Sequence, residues 1–319
     1  MKLFVYGYYG CGNFGDEMML EGLIDLLGKH HNYIVTGYIY NIKYDNVEYY
    51  NLHQILADSK LKKFDKFFNI LKDIYRILNR VDEVYIGGGT LITNNTSSLL
   101  VMLILAIIAK LKRKKLTLIS IGIEKLSLKN LLIFKILQLF SDEIKVRDSF
   151  TLSNVKGSTF IKDLAIKKFD SIKFNLNDKK TIIAPALFDG ECIVNKTKQY
   201  ISFINKLNLK DIVLFSSLNK KDNSDLQLCK NISKEFGCEI IQLRNSKNLV
   251  NLNYYGDVIS ERYHIGILSC YINSRLILVG TSQKIKTLAR SLEVNVYDSI
   301  LNVDMNGYKK PNLTGIFEG

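Results

Sequence analysis

The stretch "YGYYGCGNFGDEMMLEGLIDLL", Tyr6–Leu27, leaves an apolar β-type run, passes four glycines and enters a helical pattern. Strand, glycine-rich turn and helix in that order open a βα unit, and the glycines let the backbone approach a ligand closely. The helix start that follows offers free N–H groups. Gly10, Gly12 and Gly15 satisfy the G-x-G-x-x-G spacing of a dinucleotide-binding turn, but Asp16 and Glu17 put negative charge where a pyrophosphate would sit. These carboxylates suit the hydroxyls of a sugar or the movement of protons. Equally, they complement the dipole at the start of a helix running from Met18 to Leu27.

Outward from this unit, β-type runs alternate with helical patterns. "KLFVYG", "NYIVTGYIY", "EVYIGGG", "LTLISIG" and "EIKVRD" read as strands in the first half. Between them "FDKFFNILKDIYRILNR" places Phe64, Phe67, Phe68, Leu71, Ile74, Tyr75 and Leu78 on one helical stripe. The alternation then restarts with "KTIIAPA", "DIVLFSS", "EIIQLR", "DVISERYH", "RLILVG" and "VNVYD", and Gly237 is placed to stop the helix "DLQLCKNISKEFG". Two rounds of alternation predict two parallel-sheet α/β domains, 1–165 and 166–319, with the break inside "KDLAIKKFDSIKFNLNDKK". Open sheets of this kind bind ligands at the carboxyl ends of their strands, so a site between the two sheets is expected.

Composition bounds the function. The 319 residues, 47% apolar and 24% charged, are enough for two domains and exclude a disordered chain. Five cysteines without a C-x-x-C pair argue against a disulfide framework or zinc knuckle and fit a reducing cytoplasm. The N-terminal apolar run reaches glycine too soon for a signal peptide. "LLVMLILAIIA", Leu99–Ala109, is half the length of roughly 20 residues that a membrane span needs, so it reads as a helix buried on all sides or lying at a surface. The net charge of +13 is spread widely, with local concentrations at Lys110–Lys115 and Lys62–Phe68. It favours an anionic partner such as a phosphate substrate, a nucleic acid or an acidic membrane, while any single cluster also reads as a solvated basic surface with no partner. No nucleic-acid module accompanies that charge, so no nucleic-acid partner is expected. No His, Cys, Asp and Glu residues fall at metal-ligand spacing, and no metal or cofactor is expected.

Several motifs in order carry a resemblance. "GYYGCGNFGDE", "GGGTL" (Gly87–Leu91), "KVRDSFTLS" (Lys145–Ser153), "KDLA" (Lys162–Ala165), "SERYHIGILSC" (Ser260–Cys270) and "KIKTLARSL" (Lys284–Leu292) together resemble the polysaccharide pyruvyl transferase family over nearly the whole chain. The resemblance implies two Rossmann-like domains facing across a cleft, a GT-B-like fold. It also implies transfer of pyruvate from phosphoenolpyruvate, the donor substrate, onto a sugar as a ketal. The acceptor would be a cell-surface glycan or its lipid-linked precursor, met in the cytoplasm or at the inner face of the cytoplasmic membrane.

Carried onto this sequence, the family's donor-binding residues fall on Arg147, Arg262 and His264, with Tyr263 between the last two. Guanidinium groups bind carboxylate and phosphate in planar, two-pronged fashion, and a histidine near neutral pKa can move the protons that ketal formation requires. With Ser260 as N-cap, Arg262 and His264 are expected in the first turn of a helix. The loop Gly10–Glu17, including Gly12, Asn13 and Glu17, is expected to hold the acceptor, with Asp16 as a second proton-transfer group. Gly88 and Gly89 suit close approach of a ligand, and Lys284 suits a phosphate. A simpler reading stands beside each: Arg147 as a surface partner of Asp148, His264 as a packed group and Lys284 as a solvated lysine. A glycosyltransferase using a nucleotide sugar would share the architecture, and so would a sugar-binding protein without catalysis.

Overall fold

The computed structural model describes residues 1–37, 44–51, 63–188, 190–218 and 224–312. Tyr38, Ile39 and Tyr40 of the expected second strand, His53 and Lys62 lie outside the described residues, as do the side chains of Phe64 and Phe67. The chain forms two units. Met1–Cys11 and Met19–Leu164 make the first, while Gly12–Met18 packs with the chain from Ala165 onward in the second. One short segment of the glycine-rich turn therefore belongs to a different unit from the strand before it and the rest of the helix after it.

The first unit is a seven-stranded parallel sheet of β1 (Lys2–Tyr9), β2 (Asn32–Gly37), β3 (Val47–Tyr50), β4 (Glu83–Ile92), β5 (Lys115–Ile123), β6 (Glu143–Val146) and β7 (Thr159–Phe160), in the order β3-β2-β1-β4-β5-β6-β7. The second is six-stranded, with β8 (Asp178–Ala184), β9 (Ile212–Ser216), β10 (Glu239–Gln242), β11 (Tyr254–Ser260), β12 (Arg275–Val279) and β13 (Asn295–Tyr297) in the order β10-β9-β8-β11-β12-β13. Both sheets follow Rossmann order, running outward in two directions from their first strand. Central strands are apolar on both faces because helices cover both faces. Leu3, Phe4 and Val5 of β1 and Ile182 and Ile183 of β8 are all buried.

Helix Phe14–Leu27 begins four residues earlier than expected. Asn13 causes this: its Oδ1 accepts from Gly15 N at 3.3 Å and its carbonyl accepts from Glu17 N at 3.1 Å, so Gly15, Asp16 and Glu17 form the first turn. The apolar stretch Leu99–Ala109 lies within helix Thr96–Leu111. Its inner face is buried at Leu99, Met102, Leu105, Ala106 and Ala109, but Leu100 is exposed, so it is a surface helix. Gly237 ends helix Asp225–Phe236 in the left-handed conformation, at φ 62°, as its sequence predicts.

Candidate functional site

In the second unit the order of strands reverses between β8 and β11, and ligands of such sheets sit beyond the carboxyl ends of the strands at that point. A depression of about 110 Å³ lies there. Its walls come from Asn13 and the start of helix Phe14–Leu27, Phe188 after β8, Ser217 after β9, Glu261 to Ile265 after β11, and Ser282, Lys284 and Ile285 after β12.

The turn after β11 shapes the wall that carries the most chemistry. Ser260 Oγ accepts from Arg262 N at 3.0 Å and donates to Arg262 O at 2.8 Å. Ser260 thus closes a tight turn, and the N-cap of helix Tyr263–Tyr271 is Arg262 itself, with no side-chain cap. This corrects the expected cap, and it leaves His264 in the first turn with Arg262 just outside it. A second helix, Gln283–Leu292, starts at the same depression, capped by Ser282 Oγ, which accepts from Ile285 N at 3.4 Å. Two helix N-termini with their partial positive charge therefore meet Arg262 and Lys284 at one place, an arrangement that favours an anion.

Arg262 is not a free clamp. Its Nε donates to Asp225 Oδ2 at 2.8 Å and its Nη2 to Asp225 Oδ1 at 2.5 Å. Asp225 is fully buried and also accepts from Leu187 N at 3.0 Å, Leu218 N at 3.1 Å and Ser217 Oγ at 3.2 Å. One edge of the guanidinium is spent in fixing its direction, while the opposite edge, Nη1 with the second Nη2 hydrogen, retains donors for a carboxylate or phosphate. The half-exposed ring of Phe188 lies 5.3 Å from the guanidinium carbon.

His264 is buried and set by its neighbours. A Cβ added to Gly15 would lie 1.8 Å from His264 Nδ1, so the imidazole occupies the space that a side chain at Gly15 would need. The Tyr263 ring stands edge-on to it with centroids 5.1 Å apart, and the Lys284 amine sits 4.6 Å over the same tyrosine ring. The glycine-rich segment is held to the end of β9, where Phe14 N donates to Ser217 O at 2.8 Å and Asn13 pairs with Leu218. Asp16 Oδ2 accepts from Asn13 Nδ2 at 2.7 Å in the first helical turn, and Glu17 beside it is fully buried.

Of the predicted residues, Asn13, Arg262, Tyr263, His264 and Lys284 line one depression, with Gly12, Asp16 and Glu17 in the adjoining segment. Arg147, Gly88 and Gly89 belong to the first unit. Arg147 is buried and does not form the surface pair with Asp148 that is its simpler reading. Its Nη1 donates to Asp163 Oδ2 at 2.8 Å and its Nη2 to Thr90 Oγ1 at 2.8 Å, while Asp148 caps helix Ser149–Asn154 through Thr151 N at 2.7 Å. The glycine run of β4 has an internal neighbour: Tyr9 Oη donates to Gly87 O at 2.6 Å, and a Cβ on Gly88 would lie 2.0 Å from that oxygen.

Asp225, Glu261 and Lys196 escaped the sequence reading. Lys196 Nζ donates to Glu261 Oε1 at 2.8 Å and Glu191 Oε1 at 3.2 Å, and Glu261 Oε2 accepts from Ala186 N at 2.8 Å. Burial alone would lower the Lys196 pKa, but the two carboxylates outweigh it and hold the amine above its ordinary value. Asp225 opens a helix, where an acid is read as a dipole complement, and nothing in sequence points it at a residue 37 positions away. Among the described residues no three His, Cys, Asp or Glu side chains group as metal ligands.

The family model for polysaccharide pyruvyl transferase matches residues 13–276. No curated protein matches the chain in sequence. Among solved structures, the UDP-GlcNAc 2-epimerase of Neisseria meningitidis bound to UDP-GlcNAc is 13% identical, with a TM-score of 0.57 over 94% of this chain and 90% of its own. The UDP-GlcNAc 2-epimerase of Methanocaldococcus jannaschii is 12% identical, with a TM-score of 0.54 over 99% and 97%. A glycosyltransferase of Rickettsia africae is 11% identical, with a TM-score of 0.53 over 94% and 85%. At these identities the likeness is one of fold, a GT-B-type pair of Rossmann-like units.

Proposed function

Because the chain belongs to the polysaccharide pyruvyl transferase family, we propose that it transfers pyruvate from phosphoenolpyruvate to two hydroxyls of a sugar, in a cell-surface glycan or its lipid-linked precursor, as a ketal. The observation that carries the donor half is the convergence of Arg262, His264, Lys284 and two helix starts on the depression of the second unit.

Phosphoenolpyruvate has two anionic groups. The outward edge of Arg262 would take one and Lys284, with the start of helix Gln283–Leu292, the other. In the reaction a proton is added to the methylene carbon while a sugar hydroxyl attacks the adjacent carbon. Phosphate then leaves, and a second hydroxyl attacks the same carbon. Of the two hydroxyl protons, one is balanced by the new methyl group and the other by the departing phosphate. His264 is assigned to proton transfer, and its fixed seat against Gly15 supports that role. Asp16, with Asn13, is assigned to the acceptor sugar. For Arg147, the contacts to Asp163 and Thr90 favour a structural part over the donor-binding part expected from sequence.

A nucleotide-sugar reading is favoured by the fold of the UDP-GlcNAc-bound neighbour. Thermal stabilisation separates the two, with phosphoenolpyruvate raising the melting temperature in the first reading and UDP in the second. The reaction itself is tested by phosphate release from phosphoenolpyruvate, dependent on a glycan or lipid-linked acceptor whose mass gains the pyruvyl group. Release only with UDP-sugars would replace this reading. Loss of turnover in EDTA, restored by a divalent cation, would overturn its metal-free form.

A further inference from the structure

Helices Thr96–Leu111 and Leu128–Phe140 of the first unit are apolar on two opposite faces. The inner faces build the core through Leu99, Met102, Leu105, Phe134 and Leu137. The outer faces repeat one pattern in both helices: Leu100, Leu103, Ile104, Ile107 and Leu111 in one, and Leu128, Leu131, Leu132, Lys135 and Leu139 in the other. Each set has i, i+3, i+4, i+7 and i+11 spacing and so forms a single stripe.

Leu103 and Ile104 pack partly against the core, but the stripes stay exposed at Leu100 and Leu111 of the first helix and at Leu128, Leu131, Leu132 and Leu139 of the second. Leu111, Leu128, Leu132 and Leu139 are 79%, 87%, 60% and 82% exposed. The helices lie side by side with their starts pinned together, since Thr96 Oγ1 donates to Asn130 Oδ1 at 2.8 Å and Ser127 N donates to Asn94 Oδ1 at 2.8 Å. Two stripes thus make one outward apolar face. A face of this kind on a protein surface signals a partner.

Charge selects the partner. Residues 96–140 hold eight basic residues and one acidic residue, Glu124, a net of +7. Lys110 pairs with Asp142, and Lys115 with Glu143 at 2.6 Å. Arg113, Lys114, Lys125, Lys129 and Lys135 make no ion pair among the described residues, and Lys135 stands inside the apolar stripe. Leucines flanked by unpaired lysines suit a bilayer interface, where the chains enter the acyl boundary and the amines reach anionic head groups. Docking of two copies through this face would bring like charges together. Neither helix is long and apolar enough to cross a membrane.

We propose that this face docks the protein on an anionic lipid surface, with the two helices lying in the plane of the head groups. The face lies wholly in the first unit and uses none of the residues that line the depression, so it stands or falls apart from the donor assignment.

The test is flotation of the full chain with vesicles of phosphatidylglycerol and phosphatidylcholine against vesicles of phosphatidylcholine alone, at low and high salt. Binding to the anionic vesicles only, weakened by salt, is expected. Lys129→Glu/Lys135→Glu should reduce partition roughly tenfold or more, as each basic residue near the surface contributes. Leu132→Ser/Leu139→Ser should reduce it while the melting temperature stays near that of the parent chain, because both side chains are exposed. Absence of binding to anionic vesicles at low salt, or equal binding by parent and both variants, would overturn the proposal. So would sedimentation showing that the parent is a dimer broken by the leucine substitutions and without affinity for vesicles.

Discussion

Gly15 and His264, 249 positions apart in sequence, share one space: a methyl group on Gly15 would overlap the imidazole, 1.8 Å from Nδ1. The glycine of "GNFGDE" and the histidine of "RYH" are thus two halves of one fitted contact. Gly15→Ala is expected to displace the ring and lower turnover about ten- to a hundredfold, the scale of a misplacement of about 1 Å, with donor affinity nearly unchanged. Steady-state kinetics beside calorimetric titration with phosphoenolpyruvate checks this. Full turnover in a folded Gly15→Ala chain would remove His264 from the chemistry.

Asp225 is the positioning partner of Arg262 and accepts three further hydrogen bonds. Asp225→Ala leaves a largely buried guanidinium uncompensated and is expected to cost about 3–5 kcal/mol of stability, the usual loss when one member of a buried pair is removed. Denaturant unfolding followed by circular dichroism measures the shift. Asp225→Asn should lie between the parent and Asp225→Ala, because an amide retains one acceptor.

Arg147 and Asp163, both with side chains 2% exposed, pair the "VRD" and "KDLA" motifs within the first unit. Arg147→Leu is expected to destabilise by a similar amount, about 3–5 kcal/mol, while the phosphoenolpyruvate dissociation constant changes little. A double-mutant cycle with Asp163→Leu should show strong coupling in stability. A large fall in donor affinity with unchanged stability would return Arg147 to the donor site that its sequence motif suggests.

Much of this was legible in sequence, and what was missed has physical reasons. The long apolar strands were visible because both faces of a parallel sheet are buried. β3, with the half-buried sequence "VEYY", and β7, with two residues, escaped because edge strands that short carry no pattern. The residue types of the depression were visible as motifs. Their partners were not, because Asp225 for Arg262 and Gly15 for His264 are tertiary relations. The Asn13 cap was readable in principle, as an Asn before a helical run, but the glycines on either side suggested a loop continuing to Glu17.

The thiols should separate by environment. Cys192 is exposed at the start of helix Ile193–Lys206, where the N–H groups of Asn195 and Val194 hold its pKa below the ordinary thiol value. Burial raises Cys238, pushes Cys270 up to about 12 and raises Cys229 well above the usual range. The thiolate is the reactive form, so a lowered pKa means reaction at lower pH. Iodoacetamide at neutral pH, followed by peptide mass spectrometry, should label Cys192 ahead of these three. Labelling of Cys270 before Cys192 would contradict these environments.

The measurement closest to the central proposal is calorimetric titration of phosphoenolpyruvate into the parent chain, Lys284→Ala, Arg262→Lys and Asp16→Asn. Charge-assisted hydrogen bonds contribute about 1.5–3 kcal/mol each, so Lys284→Ala and Arg262→Lys are each expected to weaken donor binding about ten- to a hundredfold. Asp16→Asn should leave it unchanged. Donor binding that survives both basic substitutions at full strength, or is lost equally in Asp16→Asn, would contradict a phosphoenolpyruvate site in the depression of the second unit.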